Sequence, residues 1–586
     1  MGFARIPVAF AGAVALVLAL AAAVPLTAVA QGGFPPQAPP PYTPAADAKD
    51  LKAVLFNWTW HMGMLRGIDE HELIVSLEYQ GKGTVQVDGQ LCALEKYRSS
   101  INYQTSGQRI QYTCTRGGKS HSTIEVVSGP YAWNEDIVGA EIVKGKGKAT
   151  PMASAVDERL IRLWASPQGA PKAALQGAKQ PDANKLPDDV GNSAGDTKLA
   201  WEGGKAVVTF PIPGVQGAIA SATLSSNYMA ERVVVKHGST TTEFTYDDYR
   251  DWNSKLNKVE VLYAGKMTEK QNGKVVRDLT TTETETGSVY VVMPVPASVK
   301  AAIKVPTPFP AVATIPVLAN PFGALFGQPA QPAKDEPMPR TAEGKPDLTG
   351  NWNSFVGFFN WRYGFRRCGP TQSSDCSPTW NQTTDFEFEA PSRYGPNRPL
   401  YKPEFWDKIQ QLDMWTNKED PVMTCQPLGV PRQGGPSRIY QTGRDITFIY
   451  GGGFDGGGGY PEYRIIPTDN RQHDPKDLTT LYMGHTVGHW EGDTLVLDSV
   501  GFNDQTWLGR GGFFHSDQMH VVEKFTRKGN EILYEVTVED PEVLVEPWVM
   551  TPRKLTLNPM PDAGLVAERG NCEVYETSNI TSQIRH

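Results

Sequence analysis

Five of the chain's ten histidines, His473, His485, His489, His515 and His520, fall in one short span of the sequence. Imidazole is both the commonest metal ligand and the side chain that titrates nearest neutrality. Within MGHTVGHWEGD (483–493), His485 and His489 stand four apart, a spacing that shares a face on a strand or a helix alike. FHSDQMH (514–520) adds His515 and His520 after the Gly-rich turn 508–512, with Asp517 and Glu523 nearby. Three imidazoles, His485, His515 and His520, suit one zinc, copper or iron ion. A second chemistry needs no metal: His485 acts as general acid and base, with Asp517 or Glu523 orienting it. No HxH or HExxH pattern occurs, so a third reading stands beside these, in which the rings serve structure by bonding backbone carbonyls.

Other catalytic signatures are missing from the sequence. GGGFDGGGGY (451–460) lacks the GK[ST] of a phosphate loop and opens no helical pattern. It reads as a hairpin loop at a barrel mouth, with Phe454 and Tyr460 placed to cover a bound ligand. There is no G-x-S-x-G nucleophile elbow. The formal net charge of −8 is spread without a basic stripe, which excludes nucleic acid as an expected partner.

Residues 1–30 read as a signal peptide: Arg5, an apolar run from Ile6 to Val24, then Ala28-Val29-Ala30 at the cleavage positions. The expected location is therefore periplasmic or secreted. The six cysteines include no CxxC, and an oxidising compartment favours disulfides. Locality suggests Cys92–Cys114, Cys368–Cys376 and Cys425–Cys572.

The elements that must carry these residues are mostly strands. Residues 31–49 form a Pro-rich disordered segment, 50–300 a first domain with a long surface loop at 166–199, 301–346 a Pro/Ala-rich linker, and 347–586 a second domain. In the first, alternating runs such as 72–80, 101–114, 232–237 and 275–286 predict antiparallel strands, and 51–65 and 154–165 predict helices, the latter capped by Ser154. In the second, 438–450, 462–466, 480–483, 494–502, 519–527, 532–538, 548–557 and 565–576 predict strands, with a helix at 403–415. The expected fold is mainly β with minor α: an α+β sheet domain followed by a closed or nearly closed antiparallel barrel.

Residues 50–300 carry YRSSINY (97–103), VSGPYAW (127–133), ERVVV (231–235) and TYDDYRD (245–251). They resemble a module of exported bacterial proteins that is similar to the half-barrel of periplasmic lipoprotein carriers. That resemblance implies a curved antiparallel sheet whose apolar concave face accepts an acyl chain. Residues 340–586 carry GKPDLTGNW (344–352), DPVMTCQPLGVPR (420–432), MGH (483–485), WEGDTLV (490–496), HSD (515–517) and HVVE (520–523). They resemble a widespread exported bacterial family of unassigned activity. Gly350-x-Trp352 is also similar to the G-x-W of lipocalin-like barrels, which implies that Trp352 plugs one end and borders ligand.

The expectation is an exported two-domain protein that binds, and moves, a hydrophobic small molecule or lipid. Two alternatives stay open: an enzyme using the histidine cluster on an apolar or aromatic substrate, with or without a metal, and a structural or assembly protein with an envelope protein partner.

Overall fold

The computed structural model describes residues 47–62, 76–103, 105–178, 196–252, 262–286, 290–305, 338–353, 398–414, 419–450, 462–474, 478–509, 511–550 and 553–559. The fold is mainly β, as expected, and its large sheets are antiparallel. The described strands form a thirteen-stranded sheet, a ten-stranded sheet and a two-stranded ribbon. Both large sheets belong to one compact unit that runs from Pro40 to His586.

The thirteen-stranded sheet is two meanders sewn together. One runs from Ser76–Val87 to Ala149–Pro151 and the other from Lys198–Glu202 to Lys274–Thr286, each strand pairing with the next. Short turns permit this, as at Asn272-Gly273, where φ values of 47° and 80° give the left-handed pair that a tight hairpin requires. The seam joins the outermost strands of the sequence, with Leu77 opposite Thr286 and Val85 opposite Arg277. The register slips beside Gly81, and Gly83 sits at φ 138° with Asp278 O only 2.0 Å from where a Cβ would be. Only glycine fits there, and the bulge bends the strand.

The sheet curls around helices. Helix Val156–Ala165 meets the strand Lys119–Ser128 through Arg159, which donates to Val126 O at 2.8 Å. The same helix meets the strand Ala230–His237, where His237 Nε2 lies 3.7 Å from Asp157. Those strands are seven places apart in the sheet. At about 4.8 Å per strand a flat sheet would separate them by roughly 34 Å, far wider than one helix. Ser154 does not cap this helix; Ala153–Ala155 forms a 3-10 turn ahead of it and Ala155 takes the cap position without a side-chain bond. Within the segment expected as surface loop, Gly169–Gly177 is a second helix, and its Ala170, Ala173, Ala174 and Leu175 are fully buried. Small side chains let it lie close against the sheet. A third helix, Leu51–His61, completes the cover, with Trp58 at 0% exposure.

The ten-stranded sheet begins with Glu462–Pro467, Asp445–Tyr450, Arg438–Gln441, Gly350–Asn353 and Arg553–Leu557. It continues through Glu531–Glu539, His520–Lys528 and Thr494–Val500 to His485–Glu491, while Trp548–Val549 pairs off Glu531–Glu539. Its two end strands come back together: Arg464 Nη1 is 3.4 Å from Thr486 Oγ1, and Gly488 faces Ile466. The result is a nearly closed barrel with Phe448, Leu495, Leu497, Val521, Phe525 and Tyr534 inside. Of the expected strands, 480–483 reduces to one parallel bridge between Leu481 and Phe502, and 565–576 lies outside the described residues. The helix expected at 403–415 is present as a Pro-led 3-10 turn, Pro403–Phe405, continuing into Trp406–Met414.

That helix docks onto the first sheet. Arg98 holds Asp407 with both guanidinium ends, at 3.2 and 2.8 Å, and the Arg109 guanidinium lies 4.8 Å from the Trp406 ring centre. Tyr290, beyond the last strand of the first sheet, donates to Pro399 O at 2.8 Å and packs in the barrel core.

Cys92 and Cys114 are joined as expected, across neighbouring strands and 22 residues apart in sequence. Cys425 is also disulfide-bonded; Cys368, Cys376 and Cys572, with the pairings proposed for them, lie outside the described residues, as does the signal peptide. Closing a loop of this length restricts the unfolded chain by about 3 kcal/mol. Cys92→Ser with Cys114→Ser should lower the unfolding free energy by that order in urea titrations. A loss under about 0.5 kcal/mol would show that the crosslink contributes nothing through loop closure.

Candidate functional site

The histidine span divides into three groups. His485 and His489 lie on the outer face of one edge strand of the barrel, opposite Val500 and Val496. His485 Nε2 contacts Thr479 O at 2.8 Å, and His489 Nε2 contacts Glu491 at 3.3 Å. His515 sits in the loop before the His520–Lys528 strand and is 2% exposed. Its Nδ1 faces Ser516 O at 2.8 Å and its Nε2 faces Thr506 Oγ1 at 2.7 Å. A carbonyl only accepts, so Nδ1 carries the proton and Nε2 takes the Thr506 hydroxyl. Burial pushes its pKa below the usual imidazole value, which keeps the ring neutral.

His520 belongs to another group. Its Nε2 is 3.0 Å from Asp498 Oδ2 and its Nδ1 is 3.3 Å from Glu539. The other Asp498 oxygen meets His473 Nε2 at 2.8 Å. Burial alone would lower the His520 pKa, but the bonds to Asp498 and Glu539 outweigh it and the value is raised. Burial would likewise raise Asp498, and the two imidazoles overcome it and lower it. Asp498 and Glu539 escaped the sequence reading because neither sits near a histidine in the chain; strand pairing alone brings them there.

The structure does not bring His485, His515 and His520 together. Among the described residues, no group of three or more histidine, cysteine or acidic side chains converges as metal ligands would. Asp517 is exposed and accepts a bond from its neighbour Gln518 at 2.8 Å. Glu523 points into the barrel, away from His485. There it takes two bonds from Arg464, at 2.7 and 3.0 Å, and one from the Tyr534 hydroxyl at 2.7 Å. Arg464 Nε also donates to the Tyr450 hydroxyl at 2.9 Å. Trp352 is a buried core residue that donates to Leu348 O at 3.0 Å under the Arg527 guanidinium. Phe454 and Tyr460 lie outside the described residues.

The hollow of the first sheet holds a cluster that sequence reading missed. Its concave face is amphipathic rather than wholly apolar: Tyr79, Tyr97, Tyr103, Tyr246 and Tyr263 are all buried there. Arg162, from the helix Val156–Ala165, grips Glu269 of the sheet through Nε at 3.0 Å and Nη2 at 3.2 Å. Arg277, on the strand Lys274–Thr286, reaches the same carboxylate at 3.7 Å. Burial would raise the Glu269 pKa, yet the two arginines hold it below the usual carboxylate range. A cavity of about 30 Å³ lies among Tyr79, Gln108, Arg162, Tyr263, Glu269 and Arg277. The signal in sequence was a charged residue at an inward position of each strand, Glu269 and Arg277, amid apolar alternation.

No family model matches the sequence. No curated protein matches it either. Among solved structures, the chain is similar to a LolA-superfamily protein from Nitrosomonas europaea, at 10% identity and a TM-score of 0.21, over 41% of this chain and 94% of that one.

Two outcomes are expected. Glu523→Ala leaves Arg464 buried beside two tyrosines, so unfolding free energy should fall by about 3–5 kcal/mol, while Arg464→Met with Glu523→Leu recovers most of it. Equal losses in the single and double variants would contradict this. On the outer face, the raised His520 pKa stabilises the fold fully below about pH 6.5, and that contribution fades as pH rises through the folded value. The lowered Asp498 pKa contributes above about pH 4 and fades on acidification. Because these side chains are about a third exposed, Asp498→Asn should cost only about 0.5–1 kcal/mol more at pH 5.5 than at pH 8.5. Unfolding titrations at the two pH values check this; a cost that is larger at pH 8.5 would refute it.

Proposed function

We propose that the protein binds a hydrophobic small molecule or lipid in the hollow of its thirteen-stranded sheet and releases it elsewhere. The observation that carries this reading is how the hollow is covered. Its lid is three short helices rather than a second sheet, and discrete polar contacts fasten them. Besides Arg162–Glu269, Tyr246 donates to Ala165 O, Gln168 donates to Leu262 O at 2.7 Å, and Thr197 donates to Ala174 O at 2.7 Å. Bonds of this kind contribute about 1 kcal/mol each. A guest that buries ten methylenes gains several times that, at about 0.8 kcal/mol per group. Such a guest would take the place of the apolar side chains that the helices set against the sheet, Trp58, Leu160, Leu163 and Trp164 among them.

An exported location, periplasmic or secreted, belongs to the same reading, and the disulfides at Cys92–Cys114 and Cys425 support it, since thiols stay reduced in the cytosol. In that aqueous setting an oily compound needs a shelter to travel.

The test is organic extraction of purified protein followed by mass spectrometry, with a polarity-sensitive fluorophore to report refilling. An equimolar apolar compound, and fluorophore binding that the same compound displaces, are the expected results. Empty extracts together with no uptake of added fluorophore would end the proposal.

A further inference from the structure

The cavity beneath the helices is built for charge. Arg277 is 9% exposed, yet its Nε and Nη1 have no hydrogen-bond partner among the described residues. Tyr263 is 0% exposed and its hydroxyl is likewise without a partner, as is the side-chain oxygen of Gln108. All three residues line the same cavity. A buried donor left unmade costs about 1–3 kcal/mol, and more when it is charged, so three donor atoms around one space is not a neutral packing outcome.

The charges add to this. Arg162, Arg277 and Glu269 are all buried, so two guanidiniums share one carboxylate inside the hollow. Arg162 finds further acids toward the surface, Glu158 at 2.6 Å and Glu125 at 3.7 Å. Arg277 reaches Glu269 only at 3.7 Å, beyond hydrogen-bond distance. With Arg162 also held by those outer acids, Arg277 is the guanidinium in the hollow whose N–H groups are left without a hydrogen-bonded acid. The barrel's interior pair shows the contrast, since Arg464 spends Nε, Nη1 and Nη2 on Tyr450 and Glu523.

We infer that this cavity seats the carboxylate head of an amphiphilic ligand, with an unpartnered N–H of Arg277 donating to one oxygen and the Tyr263 hydroxyl to the other. This rests on the ligand-binding reading above and narrows it to acidic amphiphiles. The size agrees: about 30 Å³ is a little over the space that one or two waters require, which suits a carboxylate and no more. Ser166 and Pro167, linking the two helices, form one wall, so the tail extends into the space those helices occupy and leaves only the head fixed. A guanidinium N–H and a phenol O–H can each meet one oxygen of a carboxylate, and the charged donor makes the stronger bond.

The test compares cis-parinaric acid with its methyl ester, by fluorescence titration of the full-length protein. The acid should bind the wild type at least about tenfold more tightly than the ester, a difference of about 1.4 kcal/mol. Arg277→Gln should abolish that preference by weakening the acid at least about tenfold more than the ester. Tyr263→Phe, a milder change, should reduce the preference several-fold and covers the case in which Arg277→Gln fails to fold. Equal binding of acid and ester by the wild type, or a preference that survives both substitutions, overturns the head-group assignment while the carrier reading stands. Binding of neither probe overturns both. Acetate supplies the remaining arm: if acetate alone raises the unfolding temperature as much as parinaric acid does, the site serves a small free acid and the amphiphile is wrong.

Discussion

The ion pair between Arg162 and Glu269 is the contact on which the first half of the molecule depends. A guanidinium taken from water costs several kcal/mol unless a carboxylate meets it, so the helix that carries Arg162 can seat only where Glu269 waits. The same helix touches strands near both ends of the sheet, through Val126 and His237. Seating it thus fixes how tightly the sheet rolls. The bulge at Gly81–Gly83 supplies the bend, and the hollow with its buried tyrosines follows from the roll. Any guest must either respect this pair or replace it.

The two large sheets solve the burial of charge differently, and the difference separates structure from function. In the barrel, one arginine meets one glutamate and two tyrosines complete the set. A network satisfied in this way rigidifies a core and leaves nothing to offer a ligand. In the rolled sheet, Arg162 takes the hydrogen bonds of Glu269 and Arg277 is left 3.7 Å from it, with two donor atoms unmade. Between the two lies a polar and aromatic seam, with Arg98 on Asp407, Lys146 on Glu404 and Arg109 over Trp406. It holds both sheets in one compact unit.

The histidine span shows how far spacing alone can be read. Four residues apart on a strand means one face, and His485 and His489 do share one. Three apart means opposite faces, so Glu523 was bound to leave His520 once that segment proved to be a strand. The same parity sends Glu523 inward to Arg464. His515 lies in a loop, where no period applies, and its burial against Thr506 follows from packing. Asp498 becomes the partner of His473 and His520 only because the strand Thr494–Val500 pairs with His520–Lys528.

Alternation of apolar and polar residues, turn chemistry and one nearby cysteine pair are local properties. They determined from the sequence alone that the chain is mainly β, where most strands run, and that Cys92 and Cys114 meet. Which strands become neighbours is not local: the seam between Ser76–Val87 and Lys274–Thr286 joins segments that a whole domain separates. Only the tertiary structure decided it, because the free energy of that seam comes from rolling a wide sheet around buried helices. The same long-range step divided the histidines and set Arg277, Tyr263 and Gln108 around one cavity. Charge placed at an inward position is visible in a sequence; whether it has found its counter-charge is settled by three-dimensional distance.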